Sequence, residues 1–278
     1  MLIIESANGN GTILFHCDAS QAGGKVSVDT QQLGVDYLTM AGHKIYATKG
    51  VGILYIRDGS LEPQPIIHGA NQEKGRRAGT ENVILCVGMG KAAELIQSNL
   101  QDDMKRMREL KQHLKTLLLR KSPVHVRVNS TMNSDYYADE DDTSFYLSNT
   151  LSISFEGILS SSLLAIMNDS LCTSAGAACH STDGISISDV LKAIQCPPSF
   201  AIGTLRLSVG RYTTLEDVEK AAEVIISSIQ QLLDHPSENQ KHAWDIYHID
   251  LSSCLVYYGL FSVQLLFKYS VDAISDME

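Results

Sequence analysis

Three short apolar runs lie near the front of the chain: residues 12–17 (TILFHC), 35–40 (VDYLTM) and 51–56 (VGILYI). Their continuous apolar character predicts strands of a sheet covered on both faces. Turn-rich polar stretches separate them, "DASQAGGK" after the first and "AGHKIYATKG" between the second and third. The period then changes. Between residues 81 and 121, Leu100, Met104, Met107, Leu110, Leu114 and Leu117 recur at three- and four-residue steps, which predicts a long amphipathic helix. Further strands are predicted over "VHVRV", "LSISF" and "LRLSV", the second with Leu151, Ile153 and Phe155 on one face. Helices are predicted over residues 160–169, 186–195 and 214–235. The last opens with Thr214 and Asp217 in an N-capping arrangement and carries the stripe Val218, Ala222, Ile225, Ile229 and Leu232. Strands mixed with helices place the chain in the α/β or α+β class.

Composition narrows the function. The chain has 278 residues, 44% hydrophobic and 19% charged, as a globular protein does. Its formal net charge of −10 disfavours nucleic acid as a partner. The six cysteines are scattered, with no CxxC pair or ligand cluster to indicate zinc. They fit free thiols in a reducing, cytoplasmic setting. Residues 1–11 lack the basic and apolar regions of a signal peptide. Residues 251–267 are uncharged but slightly short of a span, and read as an interfacial or packed segment, with no membrane partner expected. The acidic stretch 134–144 reads as a solvated loop.

Four stretches carry chemistry: "FHCDASQ" (15–21), "GHK" (42–44), "GRRAGTEN" (75–82) and "SAGAACHS" (174–181), with "LRLSVGR" downstream. Taken singly, each has an ordinary explanation. Asp18 suits a turn, His43 a satisfied core histidine, and Cys179 a small buried hydrophobe. Lys44 is harder to place, because a charged amine between two apolar strands is costly to desolvate.

In this order, from about Ile13 to Leu233, the motifs "HCDASQ", "GHKIY", "QEKGRRAGTENV", "GAACHS" and "LRLSVGRYTT" resemble the cysteine desulfurase and selenocysteine lyase family. These are pyridoxal-phosphate enzymes of the class-V aminotransferase, fold-type I group. The resemblance implies an α/β fold in three parts. Residues 1–95 would be a partial cofactor-binding large domain with a mostly parallel sheet, 96–235 a smaller α+β domain, and 236–278 a divergent tail. It implies pyridoxal 5'-phosphate bound as an imine to Lys44, with Asp18 paired to the ring nitrogen, Gln21 bonded to the ring's phenolic oxygen and His43 at the phosphate. Thr80 would donate to the phosphate of a neighbouring subunit's cofactor, which implies a homodimer. Arg206 would take the substrate carboxylate, since a guanidinium matches it bidentately. Cys179 would attack the sulfur of L-cysteine, or assist loss of selenium from L-selenocysteine, leaving L-alanine. With cysteine the product on the enzyme is a persulfide, which a sulfur or selenium acceptor protein would relieve. "GAACHS" leans towards the selenocysteine branch. Cys172 reads as structural. Partial burial would lower the pKa of Lys44 and make it nucleophilic.

The match also departs from the family. A phosphate-binding loop, a histidine that stacks on the cofactor and an asparagine near its oxygen, all upstream in the family, are not found in residues 1–11. Ala47-Thr48 stand where the family has Gly-Pro, and Ala41 where a phosphate-binding serine often lies. "HGAN" (68–71) lacks the usual glycine run, and residues after about His235 resemble nothing in the family. The chain therefore reads as a truncated relative with exposed sheet edges and apolar surface. The alternatives are another fold-type I enzyme, such as an aminotransferase, which has no need of Cys179, or a non-catalytic interaction fragment.

Overall fold

A computed structural model describes residues 2–5, 13–129, 147–175 and 187–247. The acidic stretch 134–144, the apolar segment 251–267 and Cys179 lie outside them. The chain forms two compact units, Met1–Arg106 and Met107–Glu278. The division falls inside a single long helix, α2 (Val83–Lys121).

The first unit holds β1 (Leu2–Glu5), β2 (Ile13–Asp18), α1 (Thr30–Leu33), β3 (Tyr37–Ala41) and β4 (Gly52–Ile56). The sheet order is β1-β2-β3-β4. The expectation of a mostly parallel sheet is corrected here. Only β2 and β3 run parallel, while β1 pairs with β2 and β4 with β3 antiparallel. Connection length gives the reason. A parallel return needs a crossover of about a dozen residues or more. Residues 19–36, with α1 among them, supply it, whereas residues 42–51 between β3 and β4 are too few.

Coverage on both faces is not found for β4. It is an edge strand, and Ile53 and Leu54 are 39% and 49% exposed. Val83, Ile84 and Val87 at the start of α2 are exposed as well. The unit's apolar centres are small. One gathers Ala19, Val35 and Leu38 with Phe15, Cys17, Met40 and Tyr55 around it. Another sets Ile45 against Met89 and Ala92 of α2.

One buried charge ties this sheet together. Asp36, only 5% exposed, accepts from the Phe15 backbone N–H at 2.8 Å and the Ser60 hydroxyl at 2.9 Å, and pairs with Arg57. Its backbone is held from both sides too, with Asp36 N on Phe15 O and Arg57 N on Asp36 O, each at 2.8 Å.

The second unit contains β5 (Val126–Val128), β6 (Thr150–Phe155), α3 (Ser160–Met167), β7 (Ser174–Ala175), α4 (Asp189–Ala193), α5 (Pro198–Ala201), β8 (Thr204–Ser208), α6 (Leu215–Asp234) and α7 (Glu238–Tyr247). Its sheet, in the order β5-β6-β8-β7, is antiparallel throughout. The predicted alternation of β6 holds. Leu151, Ile153 and Phe155 join Leu205 and Leu207 in a core with Met107, Leu110, Leu114 and Leu118 of α2 and with residues of α3 and α6. Ser152, Ser154, Thr204 and Arg206 occupy the other face.

All five predicted stripe residues of α6 are buried. Its start is a reciprocal cap: Asp217 N donates to Thr214 Oγ1 at 3.1 Å and Thr214 N to Asp217 Oδ2 at 2.9 Å. Thr214→Ala should lower the melting midpoint by roughly 2–4 °C, because one helix-end donor loses its acceptor. A midpoint equal to the parent's, read by circular dichroism, would show that the cap contributes nothing.

The predicted helix over 186–195 is shorter, since α4 ends before Gln195, which takes a left-handed φ of 53° ahead of Pro197 and Pro198. In the stretch expected as a divergent tail, α7 packs onto this unit. Gln240 is fully buried, accepting from Leu159 N at 2.8 Å and donating to Gly157 O at 2.6 Å. Trp244 Nε1 donates to the same carbonyl. Among the described residues no helix is long and apolar enough to cross a membrane.

Candidate functional site

β2 ends at Asp18, opposite Thr39 in the parallel pair with β3. The chain then turns sharply, with Ala22 N and Gly23 N both on Ala19 O at 3.0 Å. This turn leaves Asp18 and Gln21 exposed. The Asp18 carboxylate accepts from Ser20 N at 2.9 Å. Hydrogen bonds from Ser20, through its hydroxyl and its backbone, hold this carboxyl below its usual range, with His16 and Thr39 adding to them against the cost of burial. Asp18 is therefore ionised at neutral pH.

His43 and Lys44 sit on a single 3₁₀ turn, Gly42–Ile45, directly after β3. Gly42 N bonds Val51 O at 2.9 Å, and Ala47 N closes the turn onto Gly42 O at 3.0 Å. Ile45 points into the core at 2% exposure, while His43 and Lys44 are exposed. Tyr46, at φ 67°, ends the turn in the left-handed region, an uncommon conformation for an aromatic residue. The desolvation cost foreseen for Lys44 is thus avoided: the turn buries its isoleucine and presents its lysine. The partial burial expected of Lys44 is absent. That burial falls on Lys25, which desolvation, and then the Lys44 charge, push below the usual lysine value.

Thr80 is exposed between a strained turn and α2. In that turn Glu73 and Lys74 both take positive φ, 49° and 60°. The segment is fixed by Ala78 N on Ile67 O at 3.3 Å and by Gly79 N on the Gln72 side chain at 3.2 Å. Arg76 grips Glu62 with two bonds, at 2.8 and 2.6 Å.

The second unit places Arg206 on β8 between Ser152 of β6 and Ser174 of β7. Its flanking residues Leu205 and Leu207 are buried and its own side chain is exposed. Its carbonyl accepts from Thr173 Oγ1 at 2.9 Å. Among the described residues no carboxylate forms a salt bridge with its guanidinium. The structural reading of Cys172 is corrected, because it is exposed. Among the described residues the buried thiol is Cys196, pushed up by desolvation and donating weakly to Asn129 Oδ1 at 3.6 Å.

Asp18 ends β2 and Gln21 follows it, and His43 and Lys44 follow β3. Both pairs therefore lie at the carboxyl ends of the two parallel strands, where open α/β sheets bind ligands. Lys25, which the motifs did not single out, belongs to the same neighbourhood. Its signal was a lysine directly behind the glycine pair Gly23-Gly24.

Proteins of known identity are similar to this chain. A cysteine desulfurase of Trichormus variabilis is 38% identical over 233 residues, covering 83% of this chain and 55% of the relative. Cysteine desulfurase IscS of Methanosarcina thermophila is 38% identical over 221 residues, or 79% and 51% of the two chains. The chain spans about half the length of the relatives it matches. Among solved structures, a NifS-like protein superposes with a TM-score of 0.63 at 30% identity, over 81% of this chain and 53% of that one. A structure described as SspA in complex with cysteine matches with a TM-score of 0.51 at 29% identity, over 72% and 51%. The fold is therefore that of the fold-type I, NifS-like proteins. With residues 2–221 matching the family "Aminotransferase class-V", the chain belongs to the class-V aminotransferases, and within them it is similar to the cysteine desulfurases.

Proposed function

We propose that the chain takes part in pyridoxal-phosphate-dependent removal of sulfur from L-cysteine, or of selenium from L-selenocysteine. The observation that carries this reading is the placement of an ionised carboxylate, Asp18, and an exposed primary amine, Lys44, at the carboxyl ends of two neighbouring parallel strands. A cationic ring nitrogen and an aldehyde need those two groups, so the residues fit the cofactor. When bound, pyridoxal phosphate supplies an electron sink for the carbon that carries the amino group. Lys44 Nζ would be its covalent anchor and would move the proton of the substrate's α-carbon. Asp18 would keep the ring nitrogen protonated, and Gln21 would bond the ring oxygen. His43 would hold the phosphate, and Thr80 that of a second copy in a homodimer. Arg206 orients the substrate carboxylate. Cys179 takes the sulfur atom as a persulfide and leaves L-alanine, and an acceptor protein then removes the sulfur. Cysteine as the ligand is supported by the relative solved with cysteine and by the names of the sequence relatives.

Borohydride reduction of the full chain with pyridoxal phosphate, followed by peptide mapping, should place the pyridoxyl label on Lys44, and Lys44→Ala should remove it. A label on Lys25 or Lys49 instead would overturn the assignment.

A further inference from the structure

The loop after Asp18 does more than expose Gln21. It folds back against the turn that carries Lys44. A Cβ on Gly23 would stand 2.4 Å from Met40 Cε and 3.1 Å from Ile45 Cγ2, so the backbone here lies close against β3 and the turn. Gly24 follows at φ +70° and packs towards Ile96 of α2 and Ile45. These two residues deliver Lys25 to the end of the 3₁₀ turn. There its ammonium donates to Lys44 O at 3.1 Å and to Gly23 O at 3.4 Å. The carbonyls in the last turn of a helix have no partner within it, and a cation is the favoured group to meet them.

We propose that Lys25 is a positioning residue: its ammonium clasps the backbone of the Lys44 turn to the loop that follows Asp18, holding the covalent anchor and the ring-nitrogen carboxylate in one frame. The proposal rests on the reading of Lys44 and Asp18 given above. The arrangement has a physical logic. Lys44 must stay exposed and free to react, so nothing can fasten its side chain. The turn can be fastened only through its backbone and through Ile45. Ile45 sets its depth in the core. Lys25 bonds the carbonyl of the reactive residue itself and so restrains where that residue's side chain starts.

The test uses the full chain with added pyridoxal phosphate, followed by the visible absorbance band of the lysine adduct and by the borohydride-trapped label at Lys44. K25M keeps the stem and removes the donor, and should cut the rate of Lys44 labelling about tenfold and weaken the band in proportion. K25R, which restores a charged donor, should recover most of both, and K25Q, a neutral donor, should fall between. Labelling of Lys44 in K25M at the parental rate would overturn the proposal. So would equal loss in K25M and K25R, which would mean that the site requires only lysine's shape. Should K25M melt well below the parent, the comparison of K25R with K25Q decides, and equal labelling in those two would equally sink the charged clasp. Absence of any Lys44 label in the unsubstituted chain is a separate result. It would remove the cofactor reading itself, and this proposal with it.

Discussion

Asp36→Ala should destabilise the first unit by about 3 kcal/mol, the largest stability loss expected from a single side chain there. The carboxylate is 5% exposed and accepts from Phe15 N, Ser60 Oγ and Arg57, so its removal leaves a strand N–H of β2 without its acceptor. Arg57 is half-exposed and is rehydrated when its partner goes, which limits the cost. Arg57→Ala leaves the buried carboxylate without its cation but with the Phe15 N–H and the Ser60 hydroxyl, and should cost roughly 1.5–3 kcal/mol. Acid should reveal the same group. The Phe15 N–H first, then Ser60 and Arg57, hold the Asp36 carboxyl below its ordinary value of 3.8, against the opposing effect of burial. The unfolded chain then takes up the proton before the folded one does. Stability from this group is fully present above 3.8 and is lost as pH falls from there through the lower folded value. Asp36→Asn should flatten that part of the pH–stability curve, measured by urea denaturation. If Asp36→Ala unfolds at the parental urea concentration, the buried carboxylate contributes nothing.

Asp36 also marks what the sequence could and could not show. The run VDYLTM was legible as a strand, and its aspartate was passed over, although a carboxylate inside an apolar run needs a buried partner. Its partners lie on segments far along the chain, Phe15, Arg57 and Ser60, and no local pattern announces them. The elements governed by local physics came through well. The alternation of β6 became a two-faced sheet, and Thr214 with Asp217 became a working cap. What depends on neighbours did not. An apolar run has the same appearance whichever way its partner runs, so the antiparallel β4 was missed, as was its exposure at the sheet edge. Gln240 could not be foreseen, because an amide that seals a turn over Gly157 and Leu159 leaves no periodicity. At the site, motif order was enough to pick out Asp18, Gln21, His43 and Lys44, which the structure sets at neighbouring strand ends. Lys25 escaped because its partners are backbone carbonyls, which any sequence possesses.

Cys179→Ser should abolish transfer of sulfur from L-cysteine to the protein while leaving the Lys44 label at its parental level. In the proposed reaction the substrate's carbon–sulfur bond would break as its sulfur joins the Cys179 thiolate and its carbon takes a proton, giving L-alanine and a protein persulfide with no added oxidant. A serine hydroxyl is far less ionised than a thiol at neutral pH and is a much weaker nucleophile towards sulfur. The loss should therefore be complete within detection. Cys179 itself lies outside the described residues, but its surroundings in the chain are informative. Five residues before it, Ser174 pairs with Arg206 on the polar face of the sheet, the arginine assigned to the substrate carboxylate. Cys172, exposed two residues before β7, is the control that separates reactivity from mere accessibility. Cys172→Ser should leave the persulfide intact. The readout is the intact mass of the protein after incubation with pyridoxal phosphate and L-cysteine, where one added sulfur atom marks the persulfide and reductant removes it. Added sulfur that survives Cys179→Ser but vanishes in Cys172→Ser would move the reaction to the other thiol. Alanine formed at the parental rate by Cys179→Ser would refute sulfur transfer to Cys179, and a thiol-bearing 2-oxo acid formed in place of alanine would favour transamination.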